Sequence, residues 1–186
     1  MKISAKKGGI AITVIAVILM TAKSFIGQEE TPNNSGFKDK MFQSAMEHDG
    51  WRIYNSWCVF FAKLVWDISI PSGPVHDRAM KLITGNSQST LANFLKDTSG
   101  YFYVTDSAFT GGIIIWQDYE NGKPTYSGHA GICIETHPGG FTTIEGNTNN
   151  DGGREGYIVA LKHRKYNRNV TNGLRYKKCI SIKIAA

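Results

Sequence analysis

Gly100 to Trp116 reads GYFYVTDSAFTGGIIIW, and at this stretch the chain changes character. Before it, apolar residues recur at helical spacing; after it come short β-branched and aromatic runs cut by turn residues. Ile113 to Trp116 is apolar without alternation, as expected of a central strand buried on both faces.

Working outward toward the C-terminus, Asn121-Gly122 is a hairpin signal. Residues 129–135, 141–145, 157–162 and 174–184 supply four more expected strands. Toward the N-terminus, Phe37 to His48 carries apolar residues at 37, 41, 42, 45 and 46, one helical face, and Asp49-Gly50 closes it. Ser56 precedes a second helical run, Trp57 to Trp66, and is positioned to cap it. Residues 75–83 and 88–95 read as shorter helices, the latter with Ser87 as its expected cap. Helices followed by an antiparallel meander define an α+β domain, with N-terminal helices packed on a sheet of five to six antiparallel strands.

The domain is expected to span 37–186, after a linker at 28–36, QEETPNNSG, which is polar and without apolar period. Residues 1–27 read as an export address: Lys2, Lys6 and Lys7 precede an apolar run from Ile10 to Met20. The run is short of the roughly 20 residues of a spanning helix and Lys23 interrupts it, so a cleaved signal and an N-terminal membrane anchor both fit. Either implies a periplasmic or extracellular protein.

With 186 residues, 41% of them hydrophobic, the chain is long enough for one real core, which excludes wholesale disorder. The formal charge of +6 is local, because residues 156–186 hold eight Lys or Arg and no acid. Such a patch is a solvated face or a surface for an anionic polymer or lipid headgroups. Nucleic acid is not expected as a partner, since no recognised binding motif accompanies the charge.

Three cysteines, Cys58, Cys133 and Cys179, lack the spacing of a disulfide framework or zinc ribbon. The odd count leaves a free thiol. If that thiol is catalytic, Cys133 and Cys179 remain as a pair on which only geometry decides.

Cys58 is the second residue of the expected helix after the Ser56 cap, where unpaired N–H groups lower a thiol's pKa and are placed to stabilise an oxyanion. Of the five histidines, His129 lies in SGHAGICIE, at the head of an apolar strand and flanked by glycines that admit another backbone. Glu145 and Asn147, in TIEGN, fall two residues apart on one face of the next strand. Polar groups on a buried face need partners, and an imidazole is one. For Glu145 to reach His129 the two must share a face, which sets an expectation for the intervening turn: three or five residues centred near His137 or Pro138, with Glu145 directly opposite His129 or one diagonal step away.

Other chemistries fail on spacing. His129, Cys133 and His137 would share a helix face, but on a strand each step is about 13 Å, too far for one metal ion. Asn147, Asn149, Asp151 and Gly152 match the start of a calcium loop, yet Ile158 stands where a bidentate Glu is needed. No GxSxG elbow and no Walker loop is present. No metal and no cofactor is expected.

Three blocks in order, WCVFFAKLVW (57–66), GHAGICIE (128–135) and TIEGNTNNDGGREG (143–156), resemble those of CHAP amidase/peptidase domains, relatives of the NlpC/P60 cell-wall hydrolases. The resemblance covers about Trp51 to Tyr166. It implies a papain-like fold with Cys58 as nucleophile, His129 as base, Glu145 orienting the imidazole and Asn147 as a second polar support. It also implies peptidoglycan peptide as substrate, cut as an N-acetylmuramoyl-L-alanine amidase or as an endopeptidase. The family often carries Gln shortly before the cysteine as an oxyanion donor; here the nearest side-chain amide is Asn55. It often opens its first long strand with Pro-Gly-Asp, where this chain has Thr110-Gly111-Gly112. The alternative of another class is a catalytically silent, membrane-tethered domain that binds wall or a partner.

Overall fold

The computed structural model describes residues 4–149 and 156–183, with side chains from residue 14 onward. Lys2 of the expected export address, and Asp151 and Gly152 of the calcium-like stretch, lie outside the described residues.

Five α-helices precede the sheet: α1 (Ser4–Ser24), α2 (Lys40–His48), α3 (Cys58–Ser69), α4 (Pro74–Leu82) and α5 (Ser87–Lys96). The strands are β1 (Phe102–Thr105), β2 (Ile113–Glu120), β3 (Lys123–His137), β4 (Gly140–Thr148), β5 (Ile158–Lys165) and β6 (Gly173–Ile182). They form one sheet in the order β1-β6-β2-β3-β4-β5, antiparallel throughout. This is the expected α+β arrangement with six strands. β1 was not foreseen: its four half-buried residues pair with β6 at the sheet edge, too short a run to show a period.

Helix starts differ from expectation by the chemistry of their caps. α2 begins at Lys40 because Asp39 accepts N–H bonds from Met41 at 2.8 Å and Phe42 at 3.2 Å. Phe37 precedes the helix, buried, with its ring centroid 4.8 Å from that of Phe42. Asn86, rather than Ser87, caps α5 by accepting from Ser89 N at 2.9 Å. Trp57, rather than Ser56, is the N-cap of α3 and makes no side-chain cap bond, so Cys58 is the first helical residue instead of the second.

α3 packs on the sheet. Ile113, Ile115, Ala130, Ile132 and Ile144 face the helices and join Val59, Ala62, Val65 and Trp66 in the main core. The alternate positions Ile114, Trp116, Cys133 and Phe141 form a smaller core on the other face. β2 is therefore buried on both sides, as its unbroken apolar run indicated. The Thr110-Gly111-Gly112 entry to β2 has a steric reason: Gly111 has φ 84°, and a Cβ at Gly112 would lie 2.5 Å from the Cys179 sulfur and 2.9 Å from the Ile180 carbonyl oxygen.

The β2–β3 turn is Asn121-Gly122, with φ 50° and 75°. The β3–β4 turn corrects the expected loop length. His137 pairs with Gly140, leaving a two-residue loop of Pro138 and Gly139. Proline fixes its own φ and Gly139 takes φ 79°, which allows the tight turn. An even loop alone would turn Glu145 away from His129. A bulge at Ile134 reverses this, since Glu135 pairs with Thr142 whereas Cys133 pairs with Thr143. Continuing the inner register sets Glu145 across from Gly131, one diagonal step from His129, as expected.

Of residues 28–36, expected as a linker, 28–30 pair along the outer edge of β5, and 31–36 fold back so that Thr31 N–H bonds the Gly36 carbonyl at 2.8 Å. Gly27 N–H donates to the Val159 carbonyl at 2.9 Å, Val159 N–H to Gln28 at 2.9 Å, and Glu30 N–H to Tyr157 at 2.7 Å. Polarity hid this strap, because its backbone does the pairing. Upstream, Ile18 and Ala22 of α1 are buried in the main core and Ser69 Oγ bonds Thr21 Oγ1 at 3.1 Å. Among the described residues, no helix is long and apolar enough to cross a membrane.

Candidate active site

The N-terminus of α3 meets the sheet beside β3 and β4. Phe61 N–H is the first to bond back into the helix, to the Trp57 carbonyl at 2.8 Å, so the N–H groups of residues 58–60 have no intrahelical acceptor. Cys58, only 7% exposed, sits among them. Burial alone would push its thiol up, but the charge and hydrogen bond of His129 and the N–H groups of Ala130 and Val59 hold it below the ordinary value. Cys133 and Cys179 are the contrast: both are free thiols, and burial pushes each up to about 12. One thiol of three is built to ionise.

His129 stands on β3 opposite Trp116 of β2, with ring centroids 5.6 Å apart. Gly128 on its N-terminal side is required, since a Cβ there would come within 2.3 Å of the Trp116 carbonyl oxygen. The imidazole Nε2 bonds Glu145 Oε2 at 2.9 Å, and the ring also interacts with the thiol of Cys58. Burial opposes protonation of the ring, but Cys58 and Glu145 together raise its pKa to about 9. Each of the two groups thus shifts the other toward its charged form.

Glu145 is fully buried and held by four hydrogen bonds from three side chains. Besides His129, its carboxylate accepts from Thr143 Oγ1 at 2.5 Å, from Arg164 Nε at 2.8 Å and from Arg164 Nη2 at 2.5 Å. Burial would raise its pKa, yet Arg164 and His129 hold it down at about 2, so it stays a carboxylate. Gly131 makes the approach feasible, because a Cβ there would lie 2.6 Å from Glu145 Cγ. Arg164 in turn stacks over the Trp116 ring, 5.4 Å from its centroid.

The structure thus brings Cys58, His129 and Glu145 together, the imidazole bonded to Glu145 and interacting electrostatically with the Cys58 thiol. Asn147 falls differently: the β4–β5 register shifts between Glu145 and Thr148, and Asn147 has φ 54° and lines the groove in front of His129. The described bonds of the imidazole go to Cys58 and Glu145. Asn55 is exposed and lines the same groove.

Arg164 and Thr143 were not singled out from the sequence. Arg164 read as one of eight basic residues; the register of β4 on β5, Phe141 with Arg164 and Glu145 with Ala160, is what puts it on the face of Glu145. Much of the remaining basic cluster is also engaged. Lys178 Nζ bonds Asp106 at 2.8 Å, Arg168 lies 5.1 Å over the Tyr176 ring, and Arg175 lies 3.6 Å over Tyr119.

The groove over Cys58 and His129 has a volume of about 740 Å³. Its lining includes Asn34, Asn55, Ser56, Asn86, Ser87 and Ser127, and among the described lining residues none is Asp, Glu, Lys or Arg. A second cleft of about 430 Å³, reaching Asp118 and Arg164, meets it at Gly128, His129 and Asn147.

No family model and no curated protein matches this chain. Among solved structures, the chain is similar to the crystal structure of a wild type endolysin, LysIME-EF1, at 18% identity and TM-score 0.48. The match covers 87% of this chain and 63% of that one. A likeness this slight does not bear on activity.

Proposed function

We propose that this chain is an exported cysteine hydrolase that cleaves amide bonds of peptidoglycan. The observation that carries the chemistry is the line Cys58–His129–Glu145, with the sulfur at a helix N-terminus and the ring anchored by a buried carboxylate. The substrate class rests on the likeness of the three sequence blocks to cell-wall hydrolase domains, and a groove whose described lining is rich in Asn and Ser suits a chain of amides and hydroxyls.

In this reading the Cys58 thiolate attacks the amide carbon and the carbonyl electrons move to oxygen. The resulting oxyanion is met by the N–H groups at the start of α3 and by the Asn55 side-chain amide. As the tetrahedral intermediate collapses, the C–N bond breaks and the His129 imidazolium gives its proton to the leaving amine. A water, deprotonated by the now neutral His129, attacks the thioester, releasing the carboxylate product and restoring the thiolate. Glu145 keeps the ring oriented and its charge compensated throughout, and Asn147 borders the reacting centre.

Alkylation by iodoacetamide at pH 6, mapped by mass to each cysteine, tests the nucleophile. Cys58 reacts selectively if the reading is right. Digestion of purified sacculi, with mass identification of the fragments, tests the substrate. Intact sacculi together with an unreactive Cys58 would leave a silent binding domain as the function.

A further inference from the structure

Trp57, immediately before the proposed nucleophile, is where three elements meet. It caps α3, its ring is fully buried, and it fills the space above Gly146, where a Cβ would come within 2.5 Å of ring atom Cζ3. Gly146 lies between Glu145 and Asn147 on β4. The position of this ring therefore sets how closely the helix bearing Cys58 approaches the strand bearing Glu145.

The ring is held by the N-terminal strap. Trp57 Nε1–H donates to Glu30 Oε2 at 3.0 Å, and Phe37 meets the indole edge-on with centroids 4.9 Å apart. Glu30 is 5% exposed, and its second oxygen, Oε1, has no hydrogen-bond partner among the described residues. Burying a carboxylate for one bond to an indole is unfavourable, and a neutral amide would make the same bond with less desolvation. Fold stability alone does not explain this residue. The strap also reaches the groove itself: Asn34 lines it, and Tyr54 N–H bonds the Asn34 carbonyl at 3.0 Å, with both residues at positive φ.

We propose that the strap over residues 27–36 is a working part of the hydrolase and that Glu30 is a positioning residue, acting through Trp57 to hold Cys58 against His129 and Glu145. This rests on the reading of Cys58 as the nucleophile. It follows that any processing of the N-terminal segment must leave Gly27 onward in place.

The test compares Glu30→Leu and Glu30→Gln in the full chain by the pH dependence of Cys58 alkylation, alongside thermal melting. Glu30→Leu removes the acceptor; its alkylation rate at pH 6 falls about tenfold, a change of one pKa unit in thiolate formation, and the profile moves toward alkaline pH. Glu30→Gln keeps an acceptor for the indole and restores the profile to within about twofold of the unaltered chain. A Glu30→Leu protein that melts lower but keeps the native profile would make Glu30 merely structural and overturn the proposal, while the hydrolase reading stands. If Glu30→Leu does not fold, Trp57→Phe, which removes the donor and keeps an aromatic ring, is expected to shift the profile in the same direction; an unchanged profile there overturns the proposal equally. An ordinary, unreactive Cys58 in the unaltered chain overturns the hydrolase reading and this inference with it.

Discussion

Gly131→Ala is the substitution that most directly probes the architecture of the site, because it adds one methyl group and leaves every proposed catalytic residue in place. That methyl carbon would lie 2.6 Å from Glu145 Cγ and 3.3 Å from the Ile144 carbonyl oxygen. Carbon atoms rest about 3.5–4.0 Å apart, so Glu145 Cγ has to retreat by about 1 Å. Its carboxylate resists, being fixed by two guanidinium nitrogens of Arg164 and by Thr143. The strain divides between a displaced carboxylate and a shifted strand, costing about 1–3 kcal/mol of stability as overpacking. The bond to His129, now 2.9 Å, is stretched beyond hydrogen-bonding range by a shift of that size. Misplacement of about 1 Å costs on the order of 100-fold in rate. The alkaline limit of activity also moves down, because Glu145 is one of the groups that raise the pKa of His129. The assay is loss of turbidity of purified sacculi per alkylatable Cys58, measured across pH, with a thermal melt. Gly139→Ala on the same hairpin is the control: it strains a positive φ but meets nothing within 4 Å, and should lower the melting temperature without changing turnover. Native turnover and an unmoved alkaline limit in Gly131→Ala would refute the role assigned to Glu145.

Cys58→Ala should abolish hydrolysis while leaving the melting temperature within a few degrees, checked by the same turbidity assay and by calorimetry. Activity in the unaltered chain should be bell-shaped in pH: lost on the acid side as the thiolate is protonated, below the ordinary thiol range, and lost again near 9 as the imidazolium gives up its proton. Alkylation needs only the thiolate and should not fall above 9, so the two profiles separate on the alkaline limb. Arg164→Met strands a fully buried carboxylate and should destabilise by about 2–4 kcal/mol in denaturant melts, the lower end reflecting the 26% exposure of the Arg164 side chain. Asp49→Asn should stabilise at pH 7. Burial, with Asp67 second, raises the Asp49 pKa from 3.8 to about 6, and Oδ2 has no hydrogen-bond partner among the described residues. The stability tied to that raised pKa is complete below 3.8 and lost as pH rises through 6, so removing the ionisation returns about 1–2 kcal/mol after allowance for solvent screening, with no gain at pH 3.5.

The sheet was legible because its period-two patterning and turn residues are local: Asn121-Gly122 and the unbroken Ile113 to Trp116 run specify what they become. The site was legible in its order, since a cysteine at a helix start, a glycine-flanked histidine and a strand carboxylate are each marked by nearest neighbours. What escaped was non-local. Arg164 is on the face of Glu145 only because β4 and β5 pair in one register, and nothing near residue 164 announces that. The strap escaped because its backbone pairs with β5 while its side chains are mostly polar, and pattern reading weighs side chains alone. The conformation of Asn147 escaped as well, because the alternation that put it beside Glu145 ends in a positive φ.

The bulge at Ile134 has a consequence for how this hairpin tolerates change. It separates an outer segment, whose facing is set by the Pro138-Gly139 turn, from an inner segment pinned by the fit of Gly131 against Glu145 and of Ile132 against Ile144. A residue gained or lost at the tip can be absorbed by creating or erasing a bulge in the outer segment, leaving the inner one where it is. The tip is thereby insulated from the proposed site, and a foreign peptide could be spliced in there without the site registering its length.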